Sequence, residues 1–198
     1  QASINGKKLN DDELNKISIH LDRIRKLSST NQKAKIESIN NFPQSTGLSS
    51  SASGFAALTV AASKASGLNL NEKQLSILAR QGSGSACRSI PSGFVEWLEG
   101  ATSEQSYAKT IFPASHWKIA DVIAVVSESK KEVPTNKGQQ ASSTSPFMEF
   151  RLKMMQKKNE LIKKLIKEKN FEKFGQLIES EAFELHAIML TQTPPLIY

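Results

Sequence analysis

The spacing of apolar residues predicts a mixture of helices and short strands in the first half of the chain. An Asn-Gly pair inside Ala2–Leu9 predicts a hairpin, and the alternation over Lys33–Ile39 predicts a strand. Between them, a helix capped by Asp11 and Asp12 is predicted to run to about Leu27. Its apolar positions recur every three or four residues: Leu14, Ile17, Leu21, Ile24 and Leu27.

Two more helices and two more strands are predicted before the middle of the chain. Small and apolar residues over Ser50–Ser66 predict a helix that Gly67 ends. The next helix is predicted over 71–80, with Asn71 as its N-cap. Its predicted inward residues are Leu75, Leu78 and Ala79. Strands are predicted at Gly93–Leu98 and Tyr107–Ile111.

The second half begins with a strand in this interpretation and continues with two helices. The β-branched run Ile119–Val126 predicts a buried strand, and the polar segment Lys130–Ser145 predicts a loop. Helices are predicted over Phe147–Lys169 and Phe171–Leu190. The apolar face of the first is expected to consist of Phe147, Phe150, Leu152, Met154, Leu161, Leu165 and Ile166. Together the elements predict an α+β protein.

Composition supports a globular protein and indicates its compartment. The 198 residues are 38% hydrophobic and 23% charged, which fits one domain or two small ones. No run of about 18 apolar residues exists, so no membrane partner is expected. The absence of a signal peptide and the single Cys87 predict a cytoplasmic location. Both termini look internal to a longer protein, because the chain lacks an initiator Met and ends abruptly on apolar residues.

The net charge of +7 predicts attraction to anions without identifying them. Many lysines lie within 153–173, where they resemble the solvated face of a helix, and no aromatic residues alternate with them as in nucleic-acid platforms. A small phosphorylated ligand is therefore favoured over nucleic acid. The histidines His20, His116 and His186 are scattered and lack metal-ligand spacing, and Cys87 is interpreted as a buried small hydrophobe rather than a nucleophile.

Two segments rich in small residues predict the binding chemistry. The serine-rich stretch, Asn40–Gly54 (NNFPQSTGLSSSASG), opens a helix, where backbone amides and the helix dipole attract anions. Ser50 and Ser51 are its expected side-chain ligands. The second segment, the GSGSACRS turn at Gly82–Ser89, ends near Arg88, whose planar fork suits a carboxylate or phosphate. Its alternative interpretation is a tight turn with a surface arginine. Together the segments predict one pocket for polyphosphate and carboxylate.

The order of these motifs closely resembles that of the diphosphomevalonate decarboxylase family of the GHMP kinase superfamily. The resemblance continues through GFVEW, SYA and TSP to the closing ESEAFELHAIMLTQTPPLIY, and so covers essentially the whole chain. It implies a GHMP kinase-type two-layer fold. Residues 1–115 would form part of the N-terminal, ribosomal-protein-like ATP-binding domain. Residues 116–198 would begin the ferredoxin-like C-terminal domain.

The resemblance implies ATP-dependent decarboxylation of mevalonate 5-diphosphate in isoprenoid synthesis, with ATP and Mg²⁺ as cofactors and a homodimer as the expected assembly. Arg88 would orient the substrate, with Ser83 and Ser85 in contact with it. Thr135 and Asn136 fall where the family grips the diphosphate. The implied ATP-binding residues are Gly47, Leu48, Ser49, Ser50, Ser51, Ala52 and Ser53, and Ser51 is also a candidate magnesium ligand.

Two departures from the family pattern leave alternatives open. Asn136 stands where the family has arginine or threonine, although Lys130, Lys131 and Lys137 offer cations nearby. The family's catalytic aspartate segment and its N-terminal lysine and tyrosine segment do not occur in these 198 residues, so the chain alone is expected to be inactive. The alternatives are a phosphomevalonate decarboxylase or mevalonate kinase-like enzyme, a non-catalytic protein that binds phosphorylated ligands, and, more distantly, a nucleic-acid-binding protein.

Overall fold

A computed structural model describes residues 1–42, 49–124 and 141–197. Helices and strands are mixed, as the sequence predicts. The chain divides into two compact units, residues 1–129 and residues 130–198. Four of the candidate site residues lie outside the described ranges: Gly47, Leu48, Thr135 and Asn136. Most of the predicted loop Lys130–Ser145 also lies outside them.

The first unit opens with the predicted hairpin, formed by β1 (Ala2–Ile4) and β2 (Lys7–Lys8). Asn5 and Gly6 both have positive φ angles, 51° and 75°, which is the backbone that a two-residue hairpin turn requires. The strand predicted after the first helix is shorter than expected. As β3 (Ile36–Ser38), it pairs parallel to β1, which gives the order β2-β1-β3.

Helix α1 (Asp11–Ser28) is capped by a different residue from the one predicted. The Asn10 side chain accepts a hydrogen bond from the Glu13 amide at 2.9 Å, and the Glu13 carboxylate accepts one from the Asn10 amide at 3.0 Å. This reciprocal pair satisfies two amides that a helix start leaves unpaired. Asp11 and Asp12 lie in the first turn instead, where their charges favour the positive end of the helix dipole.

Helices α2 (Ser50–Ala65) and α3 (Glu72–Gly82) pack with α1 around the main core of the unit. Asn71 caps α3, as predicted, in a second reciprocal pair with Gln74. The core consists of Leu21, Ile24 and Leu78, with Ile17, Ile36, Leu58, Ala62, Leu68 and Leu70 packed around them. A 3₁₀ helix, Gly84–Ser89, follows α3 directly and forms most of the GSGSACRS turn.

The antiparallel strands β4 (Phe94–Trp97) and β5 (Ala108–Phe112) follow, close to their predicted positions. The predicted strand Ile119–Val126 is wrong over its described part: residues 119–124 form no strand, and Val122 is 90% exposed. A β-branched segment becomes a strand only when another strand satisfies its backbone groups. Within the described residues, neither sheet includes this segment.

Residues 141–197 of the second unit consist mainly of two helices, α4 (Met148–Glu168) and α5 (Phe171–Thr191), which form a helical hairpin. Lys169, with φ 54°, ends α4, and the Asn170 side chain caps α5. Ion pairs join the helices, since Arg151 contacts Glu181 at 2.7 Å and Glu184 at 3.2 Å. Lys158 bonds the same two carboxylates.

The predicted apolar face of α4 is only partly buried. Of its seven residues, Leu165 and Ile166 are buried, whereas the exposed ones are Phe147, Phe150, Leu152 and Leu161. The spacing of the apolar residues correctly indicates a helix. In a two-helix hairpin, however, each helix buries only the narrow face that packs against the other helix. No strand occurs within 141–197. No helix in the described part of the chain is long and apolar enough to cross a membrane.

Candidate functional site

Three buried alanines bring the two predicted binding segments together. Ala52 at the start of α2, Ala79 near the end of α3 and Ala86 in the GSGSACRS turn form one cluster with exposures of 4%, 0% and 0%. Methyl side chains let the three backbones approach closely, which larger residues would prevent. The start of α2 therefore lies beside the GSGSACRS turn, as a shared pocket requires.

Helix α2 begins without the capping that α1 and α3 have. Ser49, with φ 55°, makes no side-chain cap hydrogen bond, and the first turn contains no acidic residue. The Ser49 carbonyl accepts bonds from the Ala52 amide at 2.9 Å and the Ser53 amide at 3.3 Å. No carboxylate from the first turn thus competes for the positive end of this helix dipole, and the Ser51 side chain is exposed beside it.

The GSGSACRS turn separates its side chains into buried and accessible groups. Ala86 and Cys87 are fully buried, Ser83 and Ser85 are partly buried, and Arg88 is exposed. The Cys87 thiol donates to the Gly84 carbonyl at 3.1 Å, and burial raises the pKa of this thiol. A buried thiol with a raised pKa behaves as a small hydrophobe, in line with the sequence interpretation of Cys87.

The accessible groups of this turn are unengaged donors. Within the residues that the structure describes, the hydroxyls of Ser83 and Ser85 and the Arg88 guanidinium have no hydrogen-bond or ion-pair partner. The guanidinium does lie near an aromatic ring: its central carbon is 5.9 Å from the centre of the Trp97 ring. The turn thus offers a cation and two hydroxyls within six residues, a set of donors suited to a ligand with carboxylate or phosphate groups.

Sequence reasoning missed Ser76, which supports the turn from inside. Its fully buried hydroxyl donates to the Cys87 carbonyl at 3.1 Å and accepts from the Ala108 amide at 2.8 Å. One side chain of α3 therefore joins the peptide that precedes Arg88 to strand β5. The available signal was a hydroxyl residue between Leu75 and Leu78 on the inward face of a predicted helix.

His20 lies under the start of the turn as a structural histidine. Its Nε2 is 2.8 Å from the Thr59 hydroxyl, which itself donates to the Phe55 carbonyl at 2.6 Å. Nε2 must therefore carry the proton, and the buried Nδ1 has no hydrogen-bond partner among the described residues. A Cβ added at Gly82 would lie 2.9 Å from Nδ1 and 2.4 Å from Phe55 Cδ1. Glycine is the residue that fits at this position.

Because His20 is buried, we expect the protein to lose stability in mild acid, where the unfolded chain binds a proton at this residue. Burial, assisted by the nearby Arg23 charge, lowers the pKa of His20 from 6.5 to about 4. The unfolded chain binds the proton more tightly, so this contribution to stability is complete above pH 6.5 and is lost as the pH falls toward 4. We expect the free energy of unfolding to fall by about 2 kcal/mol from about pH 7 to about pH 5 through this group.

The measurement is urea unfolding at both pH values for the native chain and His20→Gln, which retains an N–H donor but does not titrate. Between the two pH values, the native chain should lose more unfolding free energy than His20→Gln. An equal pH dependence in the two proteins would contradict the assignment.

Comparison with known proteins assigns this mixed helix-and-strand chain to one class of protein. A family model described as the diphosphomevalonate decarboxylase-like N-terminal domain matches residues 1–108. A second, the mevalonate 5-diphosphate decarboxylase C-terminal domain, matches residues 121–198. The chain belongs to the diphosphomevalonate decarboxylase family.

Individual relatives agree with this membership. Diphosphomevalonate decarboxylase of Debaryomyces hansenii is 42% identical over 168 residues, which covers 82% of this chain and 43% of the relative. The Homo sapiens protein of the same name is 39% identical over 176 residues, 86% of this chain and 43% of the relative. The chain therefore spans less than half the length of these curated relatives.

Solved structures cover the entire chain. Mevalonate diphosphate decarboxylase from Staphylococcus aureus superposes with a TM-score of 0.87 at 36% identity, over 100% of this chain and 60% of that one. A structure named MDDEF in complex with MVAPP, AMPPCP and magnesium gives a TM-score of 0.88 at 36% identity, over 100% of this chain and 61% of that one.

Proposed function

We propose that the chain is the central part of an enzyme that converts mevalonate 5-diphosphate to isopentenyl diphosphate at the expense of ATP. The observation that supports it is the packing of the GSGSACRS turn, which contains Ser83, Ser85 and Arg88, against the start of α2 through buried alanines. Family membership and the named complex of a relative with MVAPP and AMPPCP support this proposal. The pathway would be isoprenoid synthesis, and the enzyme an ATP-dependent carboxy-lyase.

In the proposed reaction, the γ-phosphoryl group of ATP moves to the 3-hydroxyl oxygen of the substrate. The hydroxyl proton passes to a general base, and ADP is released. The C–O bond to the new phosphate then breaks, and the electrons of the C–C bond to the carboxylate form the double bond as carbon dioxide leaves. Arg88 would orient the carboxylate, while Ser83 and Ser85 would donate hydrogen bonds to the substrate. Catalysis of this kind depends on positioning and charge stabilisation.

The ATP phosphates would lie at the start of α2. The proposed contacts are the hydroxyls of Ser49, Ser50 and Ser51 and the backbone of Ser49–Ser53, which includes Ala52. The amides of Ala52 and Ser53 already bond to the Ser49 carbonyl, and the Ser53 hydroxyl donates to the Ser50 carbonyl, so these donors would be shared. The side chain of Ala52 is buried, so this residue would contribute its backbone alone. Gly47 and Leu48 are proposed neighbours outside the described residues, as are Thr135 and Asn136 for the diphosphate.

Magnesium is proposed as a companion of ATP rather than as an ion held by the protein alone. Within the described ranges, no cluster of three or more His, Cys, Asp or Glu residues could hold a metal ion. The exposed Ser51 hydroxyl fits a minor role beside phosphate oxygens, which are the usual ligands of Mg²⁺ in such sites. When bound, the ion would neutralise phosphate charge.

Architecture and assembly also remain proposals. We propose the GHMP kinase-type arrangement, with a domain boundary at 115/116 and a ferredoxin-like second domain. The gap between the two family matches, 108 to 121, supports this boundary, although the compact units divide later, at 129/130. A cytoplasmic homodimer without a nucleic-acid partner is the proposed state of the whole protein.

Turnover by the full-length protein tests the proposal. ADP release should depend on mevalonate 5-diphosphate and should be matched by carbon dioxide. Faster turnover of mevalonate 5-phosphate would instead favour the phosphomevalonate decarboxylase alternative, which the asparagine at position 136 keeps open. ADP release without carbon dioxide would favour a kinase, and binding without any turnover a non-catalytic protein. The 198-residue chain alone is expected to show no substrate-dependent turnover.

A further inference from the structure

Arg88 lacks the side-chain partners that usually hold an arginine in one orientation. It is exposed and, among the described residues, makes no hydrogen bond or ion pair. A long, free side chain loses conformational entropy when it engages a ligand. The structure offers one element that can reduce this loss, the Trp97 ring 5.9 Å from the guanidinium carbon. A guanidinium within about 6 Å of an aromatic ring centre is attracted to the face of the ring by a cation–π interaction.

The Trp97 ring is itself held on two sides. Its indole N–H donates to the Ser106 hydroxyl at 2.9 Å. The far edge of the ring packs against the turn, since a Cβ added at Gly84 would lie 3.4 Å from Cη2. Strand pairing of Trp97 with Ala108 fixes the backbone below. Although 40% exposed, the ring therefore has little freedom to turn.

The Ser106 anchor is fixed in turn by a second arginine. Arg80 Nε donates to the Ser106 carbonyl at 2.9 Å, and its Nη2 donates to the Ser103 hydroxyl at 2.7 Å. Helix α3 thus holds the loop that holds the indole. A continuous set of contacts runs from α3 through Ser106 and Trp97 to the guanidinium of Arg88.

We propose that Trp97 is a positioning residue that holds the Arg88 guanidinium ready for the substrate carboxylate. The role of Arg88 toward that carboxylate rests on the proposed function, whereas the orientation of Arg88 by the ring does not. The ring contacts Arg88 rather than the reacting atoms. It acts by ordering the arginine before the ligand arrives, which lowers the entropic cost of binding.

Nuclear magnetic resonance on the 198-residue chain tests the orientation directly. The side-chain protons of Arg88 should be shifted upfield by the indole ring, and Trp97→Leu should abolish this shift. The matched control is Trp117→Leu, because Trp117 stacks on Phe94 in the same unit, with ring centres 6.5 Å apart. Trp97→Phe keeps a ring and should retain part of the shift. An unchanged Arg88 spectrum in Trp97→Leu would overturn the proposal.

Kinetics of the full-length protein tests the consequence. Trp97→Leu should raise KM for mevalonate 5-diphosphate roughly fivefold, as expected for loss of one cation–π contact, and leave KM for ATP unchanged. In Trp97→Phe, which keeps an aromatic ring, KM for mevalonate 5-diphosphate should be close to that of the native protein. A purely structural role would change both KM values together, and that outcome would also overturn the proposal. If the full-length protein has no decarboxylase activity, the proposed function fails, and the Arg88 spectrum still decides whether Trp97 orients the arginine.

Discussion

Replacing Gly93 by alanine is expected to lower the free energy of unfolding of the first unit by roughly 4 kcal/mol or more. Gly93 has φ +82°, and an added Cβ would lie 2.4 Å from the Phe112 carbonyl oxygen. The Ala114 nitrogen and the Pro113 carbonyl carbon lie at 2.8 and 2.9 Å. All three atoms belong to the backbone, so no side-chain rotation relieves the overlap. The end of β5 and the two residues after it would have to move away from Gly93.

Gly67→Ala provides the matched control for this effect. Gly67 has a similar φ of +73° but no atom within 4 Å of an added Cβ, so it isolates the backbone strain. We expect that variant to cost about 1 kcal/mol. Urea unfolding of both variants measures the difference between their losses of unfolding free energy. This difference is the cost of the overlap of the added Cβ with the backbone at the end of β5. Equal costs at the two positions would show that the strands adjust without penalty. A large Gly93 effect would also disturb Trp97, because β4 carries it.

Ser76→Ala is expected to cost about 3 kcal/mol of stability in the same unit. The change removes the only hydroxyl that bonds both the Cys87 carbonyl and the Ala108 amide within the described structure. Cys87 is 0% and Ala108 1% exposed, so water cannot readily replace the lost partner. An unsatisfied buried donor costs more than a typical hydrogen bond contributes. Without this bond, the peptide between Cys87 and Arg88 would be held less firmly, so ligand binding at Arg88 should also weaken.

Ser63→Ala provides the control for Ser76→Ala. The Ser63 hydroxyl is equally buried, at 1% exposure, but within the described part of the chain it has no hydrogen-bond partner. The same chemical change there should leave stability unchanged or raise it, because a buried hydroxyl without a partner is already unfavourable. Urea unfolding of both variants gives the comparison. A Ser63→Ala loss as large as that of Ser76→Ala would mean that the bridging bonds contribute little.

The sequence predicted best those features whose causes lie within a few neighbouring residues. The Asn5-Gly6 turn, the Asn71 cap and the GSGSACRS turn all follow from local backbone chemistry. The Asn10 cap was missed by one position, because Asp11 and Asp12 are also good capping residues. Capping alternatives one residue apart differ little in energy, and neighbouring contacts decide among them.

Features that depend on distant partners were predicted poorly. The run over 119–124 has strand propensity but no strand beside it in the described sheets. The apolar period of α4 identified a helix but not how much of its face is covered. Ser76 and Ala108 are 32 positions apart in sequence, so no local pattern shows that they share a hydrogen bond.

By itself, the sequence determined the elements that carry the site and the donors that they contain: the serines at the start of α2, and the serines and arginine of the GSGSACRS turn. These depend on residue type and backbone preference, which act locally. Only the tertiary structure decided how the donors are held. The buried alanines set the approach of α2 to the turn, Ser76 joins that turn to β5, and Trp97 lies against Arg88. Such contacts depend on which surfaces meet once the chain has folded, and residues far apart in sequence supply them.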